Sequence, residues 1–308
     1  MIQMTNDKAA GMTETARAIL LMVIAMALFA VEDMFIKLLA GRVALGQILV
    51  LLGIGGTAIF GGIALWQGHR LISRDILVPS VVVRMIGEAM GTIGFATAIA
   101  LTPITTASAI IQAMPLAVTL GAALFLGETV GWRRWTAIVV GFLGVLIIIR
   151  PGTDGFEPMS LFAVLGVVGL ALRDLATRVV PAHVTSTQLS AYSFAVIVPA
   201  GLAWNLVAGA DWVAMSVPDW GLVAAAQGVG VLAYAALVLA TRTGSVAAVA
   251  PFRYSRIVFA MIVGVLVFGE RPDGWTLVGT AVIVASGLYT LWRETRARRA
   301  SLVPSGGL

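Results

Sequence analysis

The sequence predicts an all-α integral membrane protein of ten transmembrane helices in two inverted five-helix repeats. Three observations carry that expectation: the composition, the length of the apolar runs and a match of one half of the chain to the other. Of 308 residues, 59% are hydrophobic and only 11% are Asp, Glu, Lys or Arg, where soluble domains carry about 25% charged residues. Mean hydropathy is +0.99. Too little polar surface remains to cover a water-soluble globule, which excludes a cytosolic enzyme, a disordered tail and a fibrous protein. Strands of a membrane barrel would alternate apolar and polar residues, whereas residues 18–31 are apolar on every side. Backbone polar groups in lipid must be satisfied within each span, which also selects helices. The chain has no cysteine, so disulfides, thiolate metal sites and cysteine nucleophiles are excluded. No basic run interleaved with aromatics points to nucleic acid.

A helix crossing the hydrocarbon needs about 20 mostly apolar residues. The first span, 18–39, follows Lys8 and Arg17 and lacks a small-x-small cleavage site, so it is expected to stay as a span. Spans at 45–66, 77–100, 105–126 and 135–149 follow, divided where Gly, Pro and charges cluster. The fifth is short unless Trp132 and Trp135 lie at the interface. Residues 150–159, with Pro151, Gly152, Asp154, Gly155 and Pro158, form a turn-rich linker. Spans at 160–180, 188–207, 220–240, 246–268 and 275–292 complete the set. The expected domains are repeats at 18–149 and 160–292, with tails at 1–17 and 293–308. One side of the membrane collects Lys8, Arg17, Arg70, Arg74, Arg133, Arg134, Arg242, Arg293, Arg296, Arg298 and Arg299, the other only Arg42, Arg150 and Arg271. That bias predicts cytoplasmic termini in an inner membrane. Trp132, Trp135, Trp212, Trp220, Trp275 and Trp292 fall near span ends, as an interfacial belt does.

Shifted by 141 residues, Asp33 meets Asp174, Lys37 meets Arg178, Gln47 meets Gln188 and Gly87 meets Gly228. At 142, Gly127 and Glu128 meet Gly269 and Glu270. Each copy holds five spans, an odd number, so the second enters the membrane from the opposite face. Inverted repeats of this kind build many secondary transporters, with the site near the midplane between the halves.

Pro115, then Phe125, Leu126, Gly127 and Glu128, then Gly141 and Gly144 look like the end of an EamA domain. The second copy shows Ala250, Pro251, Phe252, Arg253 and Tyr254, then Val267 to Pro272, then Gly279 and Gly287, with Ile257 where a partner of Pro115 is expected. From about residue 16 to 292 the chain resembles the drug/metabolite transporter superfamily, whose bacterial members carry two such domains in ten spans. The resemblance implies a cavity lined by the third, fourth, eighth and ninth spans. It also implies a substrate among amino acids and related metabolites, vitamins, nucleotide derivatives or drugs; aromatic or general amino-acid exporters are one similar group.

A charge at a helix centre costs about 2.5–3.5 kcal/mol, so such residues are expected to face a cavity. Glu32, Asp33, Lys37, Arg84, Glu88, Arg173, Asp174, Arg178, Arg253 and Arg256 lie inside spans, six basic and four acidic. Arg84 and Glu88 share a helix face with Gly87, Gly91 and Phe95. They form either a substrate-binding wall or an intrahelical salt bridge beside glycines for helix packing. Arg253 and Arg256 have no acid in their own span, and the planar arginine fork suits a carboxylate. Gln112, Gln227 and Tyr234 are candidate polar contacts, with a helix–helix hydrogen bond as the alternative. Asp33 with Lys37, and Asp174 with Arg178, are either gates at the two mouths or ion pairs stabilising their own helices. Glu128 and Glu270 are expected to cap helices. His69 and His183 are expected in solvated loops.

These features predict alternating-access transport of a small polar metabolite, an amino acid or other carboxylate-bearing compound, with export expected and uptake of a vitamin or nucleotide-type metabolite as the alternative. The arginine excess favours an anionic group, a zwitterion is the alternative because Glu88 or Glu32 could face an ammonium, and Glu88 is the expected carrier should protons be coupled. One chain supplies both halves, so a monomer in the lipid bilayer suffices. No cofactor, metal ligand or catalytic residue is expected. The phosphate loop of an ATP motor is absent, as are H-E-x-x-H and G-x-S-x-G, which weighs against an intramembrane enzyme, and a channel more often assembles a ring of subunits.

Overall fold

The computed structural model describes residues 2–243 and 246–301, with side chains at 14–241, 248–293, 295 and 296. The side chains of Lys8, Arg242, Arg298 and Arg299 of the charge bias, and residues 302–308 of the expected tail, lie outside what is described. Ten helices are long and apolar enough to cross a membrane: Glu14–Ala40, Leu45–Trp66, Pro79–Leu101, Ile104–Phe125, Trp132–Ile149, Pro158–Arg178, Ser186–Val207, Val217–Thr241, Ala250–Phe268 and Gly274–Arg293. They are numbered here as spans 1 to 10. The first belongs to a helix that already begins at Ile2, so the expected tail is helical. Span 5 gains its length by starting at Trp132.

Local chemistry sets the ends. Pro79 opens span 3 at a position where a missing N–H costs nothing. Thr185 and Gln188 form a reciprocal capping box at the start of span 7. Gly269 closes span 9 in the left-handed conformation that glycine adopts without strain. One span is interrupted midway and another is irregular at its start. Span 4 breaks at Gln112 and Ala113 and restarts at Met114 beside Pro115. Span 9 begins as a tight 3-10 turn, Ala250–Tyr254, containing Pro251, before the regular helix Ser255–Phe268. Proline removes a backbone donor and prevents a continuous ladder.

The four largest helix contacts are span 1 with 8, 3 with 6, 2 with 7 and 5 with 10. Exchanging the repeats turns span 1 with 8 into span 3 with 6 and maps the other two onto themselves. That is the signature of a pseudo-two-fold axis in the membrane plane, and five reversals per repeat make the repeats inverted. Glycines permit the tightest approaches. A Cβ on Gly94 would lie 2.6 Å from the Gly166 nitrogen, and one on Gly91 2.6 Å from Leu170, so spans 3 and 6 touch backbone to backbone. Gly144 and Gly279 bring spans 5 and 10 together in the same way. The largest buried cluster, including Ile36, Leu39, Ile48, Ile99, Ile104 and Ile148, fills the end of the bundle where span 1 finishes and span 4 starts. The opposite end is left with room for a cavity.

Candidate functional site

A cavity of about 450 Å³ lies between the repeats and is lined by spans 1, 2, 3, 4, 6, 7, 8 and 9. Its floor is apolar, with Ile36, Leu49, Leu52, Ile99 and Ile111 buried against the core cluster. Toward the other end stand Arg84, Thr177, Ser190 and Tyr234. The breaks of spans 4 and 9 meet at its side, where Gln112 donates to the Tyr254 carbonyl at 3.1 Å.

Eight charged side chains face this space: Glu32, Asp33, Glu88 and Asp174 against Arg84, Arg173, Arg253 and Arg256. The lining is therefore balanced, four against four. The arginine excess expected from the sequence disappears because Lys37 and Arg178 lie outside the cavity. Arg173 is the hub of one network, donating to Glu88 at 3.2 Å and to Asp174 at 2.9 Å. Arg84 is 4.0 Å from Glu88, so the bond within the helix is the weaker one. It reaches instead to Thr177 at 3.0 Å, the Leu189 carbonyl at 3.1 Å and the Ser193 hydroxyl. Gly87 leaves no room beside these charges, since span 6 backbone at Arg173 occupies it. Gly91 and Phe95 do face the cavity. Arg256 donates to Asp33 at 2.6 Å and lies over the rings of Phe29 and Phe95. Tyr234 shares a 2.6 Å hydrogen bond with Ser190 and rests edge-on to Phe60.

Three expectations are corrected. Asp33 does not pair with Lys37, nor Asp174 with Arg178. Lys37 lies 3.3 Å from Glu270 and donates to the Thr102 carbonyl at 2.5 Å, while Arg178 donates to Glu128 at 2.8 Å. The fold brings each base an acid from a turn that follows another span, Glu270 after span 9 and Glu128 after span 4. Gln227 does not line the cavity: its amide lies where span 2 leaves space at Gly55. Serines 190 and 193 and Thr177 went unnoticed in the sequence. Ser190 and Ser193, three apart in an apolar span, were the available signal.

The corrected pairs are related by the repeat. Glu270 follows span 9 as Glu128 follows span 4, and Lys37 matches Arg178. Their surroundings differ. The Glu270 carboxylate also accepts the Ile104 and Thr105 N–H groups at 2.7 and 3.0 Å, capping span 4, and its side chain is 10% exposed. Glu128 and Arg178 are 48% and 45% exposed. Thus the bundle is latched dry at the Lys37 end and wet at the Arg178 end. In the loops, Asp75 accepts from Ser73 at 2.7 Å and contacts His183 at 3.1 Å; the Ser73 hydroxyl first, then His183, hold the Asp75 carboxyl below its ordinary range. His69 forms no contact that bears on the site.

The model of the EamA-like transporter family matches residues 16–150 and again 158–292. An S-adenosylmethionine uptake transporter of Rickettsia felis is 30% identical over 63% of this chain and 65% of its own length. The chain thus spans a little under two thirds of that relative. A riboflavin transporter of Vibrio cholerae is 32% identical over 64% of this chain and 66% of its own. A pseudopaline exporter of Pseudomonas aeruginosa is 29% identical over 87% of this chain and 93% of its own. A crystal structure 19% identical in sequence superposes with a TM-score of 0.57, covering 92% of this chain and 99% of that one, a likeness of fold alone.

Proposed function

The chain belongs to the EamA-like transporter family, secondary transporters and not enzymes, and from that premise we propose that it moves a small polar metabolite through the cavity between its two repeats by alternating access. One observation carries this reading: a charged cavity between inverted halves, floored by buried side chains at one end. A channel would need a continuous path in one state, which the floor of Ile99 and Ile111 interrupts.

Arg84, Glu88, Gln112, Tyr234, Arg253 and Arg256 are the proposed substrate contacts, and Gln227 is left out. The proposed gates are Lys37 with Glu270 and Arg178 with Glu128, one tightening as the other loosens. If the Lys and Arg bias sets orientation, the cavity faces the cytoplasm of the inner membrane. The relatives act in both directions on different cargo, so the cavity is the better guide to substrate. Arg253, the cavity arginine without an ion pair to a described residue, favours a solute with a carboxylate, such as an amino acid. Export is favoured by the exporter match over most of both chains, and uptake of a vitamin or nucleotide-type metabolite is the second reading, favoured by the other two relatives. Should protons be coupled, Glu32 replaces Glu88, because Glu88 is held by Arg173. A monomer completes the cavity. The test is counterflow in proteoliposomes: saturable exchange of labelled amino acid is expected, whereas flux linear to high concentration or chemical conversion of the solute would exclude a carrier.

A further inference from the structure

Six of the eight cavity charges are already satisfied by protein. Asp33 holds Arg256, Arg173 holds Glu88 and Asp174, and Arg84 is bonded to Thr177, Leu189 and Ser193. The remaining two, Glu32 and Arg253, have neither a hydrogen bond nor an ion pair to any described residue, and both line the cavity. Glu32 comes from span 1 in the first repeat and rests against Gly230 of span 8, where any side chain would collide with its carboxyl. Arg253 comes from the tight turn at the start of span 9 in the second repeat.

Both side chains are only partly exposed, and a charge largely withdrawn from water without a partner is costly. Two unlike charges left bare in one cavity are best answered together. A simple anion would satisfy Arg253, leave Glu32 bare and give the neutral lining a net negative charge. A simple cation would do the reverse. A zwitterion answers both and adds no net charge. The guanidinium fork matches a carboxylate in a bidentate geometry, and the Glu32 carboxylate suits an ammonium or other onium group. In the same cavity Phe29, Leu49 and Phe95 offer apolar surface for the rest of the solute.

We propose that Glu32 and Arg253 are the two poles of a zwitterion site, Arg253 taking the carboxylate and Glu32 the cationic group, so that bound solute bridges the two repeats. This rests on the carrier reading above and narrows its substrate class. The test uses the full chain in proteoliposomes and counterflow of leucine, methionine and phenylalanine against their deaminated carboxylates and decarboxylated amines. At least one amino acid should exchange about tenfold better than either of its analogues, roughly the factor of a 1.4 kcal/mol difference. Glu32→Gln should erase the preference over the carboxylate while keeping that over the amine. Arg253→Gln should do the opposite. Each preference is a ratio within one variant, so it is independent of how much protein folds. Glu32→Asp, which keeps the charge, should keep both preferences at lower flux. Equal exchange of amino acid and carboxylate by the unaltered chain, or loss of both preferences together in either Gln variant, overturns the assignment. Saturable flux confined to singly charged solutes also overturns it but leaves the carrier standing. Absence of saturable flux for every solute defeats the carrier reading itself.

Discussion

Arg253 and Arg84 are both cavity arginines, but substitution should separate them. Arg253 has no hydrogen bond or close ion pair to lose among the described residues, so Arg253→Met should lower thermal melting less than Arg84→Ala while reducing exchange about tenfold or more, a loss of one ligand contact. Arg84→Ala removes bonds to Thr177, Leu189 and Ser193 that join span 3 to spans 6 and 7. A hydrogen bond to a charged group is worth about 1.5–3 kcal/mol, so its melting temperature should fall as well. Asp33→Ala should cost most, about 3 kcal/mol, because it leaves the partly buried Arg256 unpaired; an unchanged denaturation midpoint would remove that pair from the stability of the bundle. That these ten residues occupy spans could be read directly, since charges are rare in so apolar a chain. Their partners could not. Spacing along one helix offers Asp33 only Lys37, and the arginine that takes it is 223 residues away. Glu32 and Arg253 are exceptional for a reason no local pattern contains, namely that their neighbours' charges are spent elsewhere.

At the level of helices, span positions followed from apolar length, and the start of span 5 alone needed the interface argument at Trp132. The interruption of span 9 at Pro251 was legible as well, because a proline must disturb its helix. That Glu270 caps a helix was legible too, but not that the helix is span 4: the carboxylate crosses to a helix that begins 166 residues earlier. Removing it should free two N–H groups and Lys37 at once. With cysteine placed at Ile99, which is 1% exposed on the cavity floor, Glu270→Ala should raise thiol modification from the Lys37 face about tenfold, the factor for a population shift near 1.4 kcal/mol. No change would mean that Glu270 does not hold that end shut. At the loop contact the sign follows from the lowered Asp75 carboxyl. Its stabilisation is present above the unfolded value of about 3.9 and disappears as pH falls through the lower folded value. Melting curves taken against pH should therefore lose part of their acid-side slope in Asp75→Asn.

For the whole molecule, the repeat could be seen in the chain because acid and base recur at one offset, and inversion followed from five being odd. Sidedness is a separate matter, for which the absence of cysteine is useful. Single cysteines at Thr153 and Ile72, both exposed, should react with impermeant reagents from opposite faces, Thr153 from outside; the reverse labelling would invert the orientation drawn from Lys and Arg. The glycine contact between spans 3 and 6 has a consequence for motion. Side-chain layers can slide and repack, but backbone resting on backbone has nothing to yield, so span 3 of one repeat and span 6 of the other must travel as one plank. Symmetry makes spans 1 and 8 a second plank. Spin labels at Val82 and Val179 should then keep their separation through the transport cycle while labels at Val82 and Leu20 change theirs. What gene duplication copied is a run of five helices; what rocks is a pair stitched from both copies.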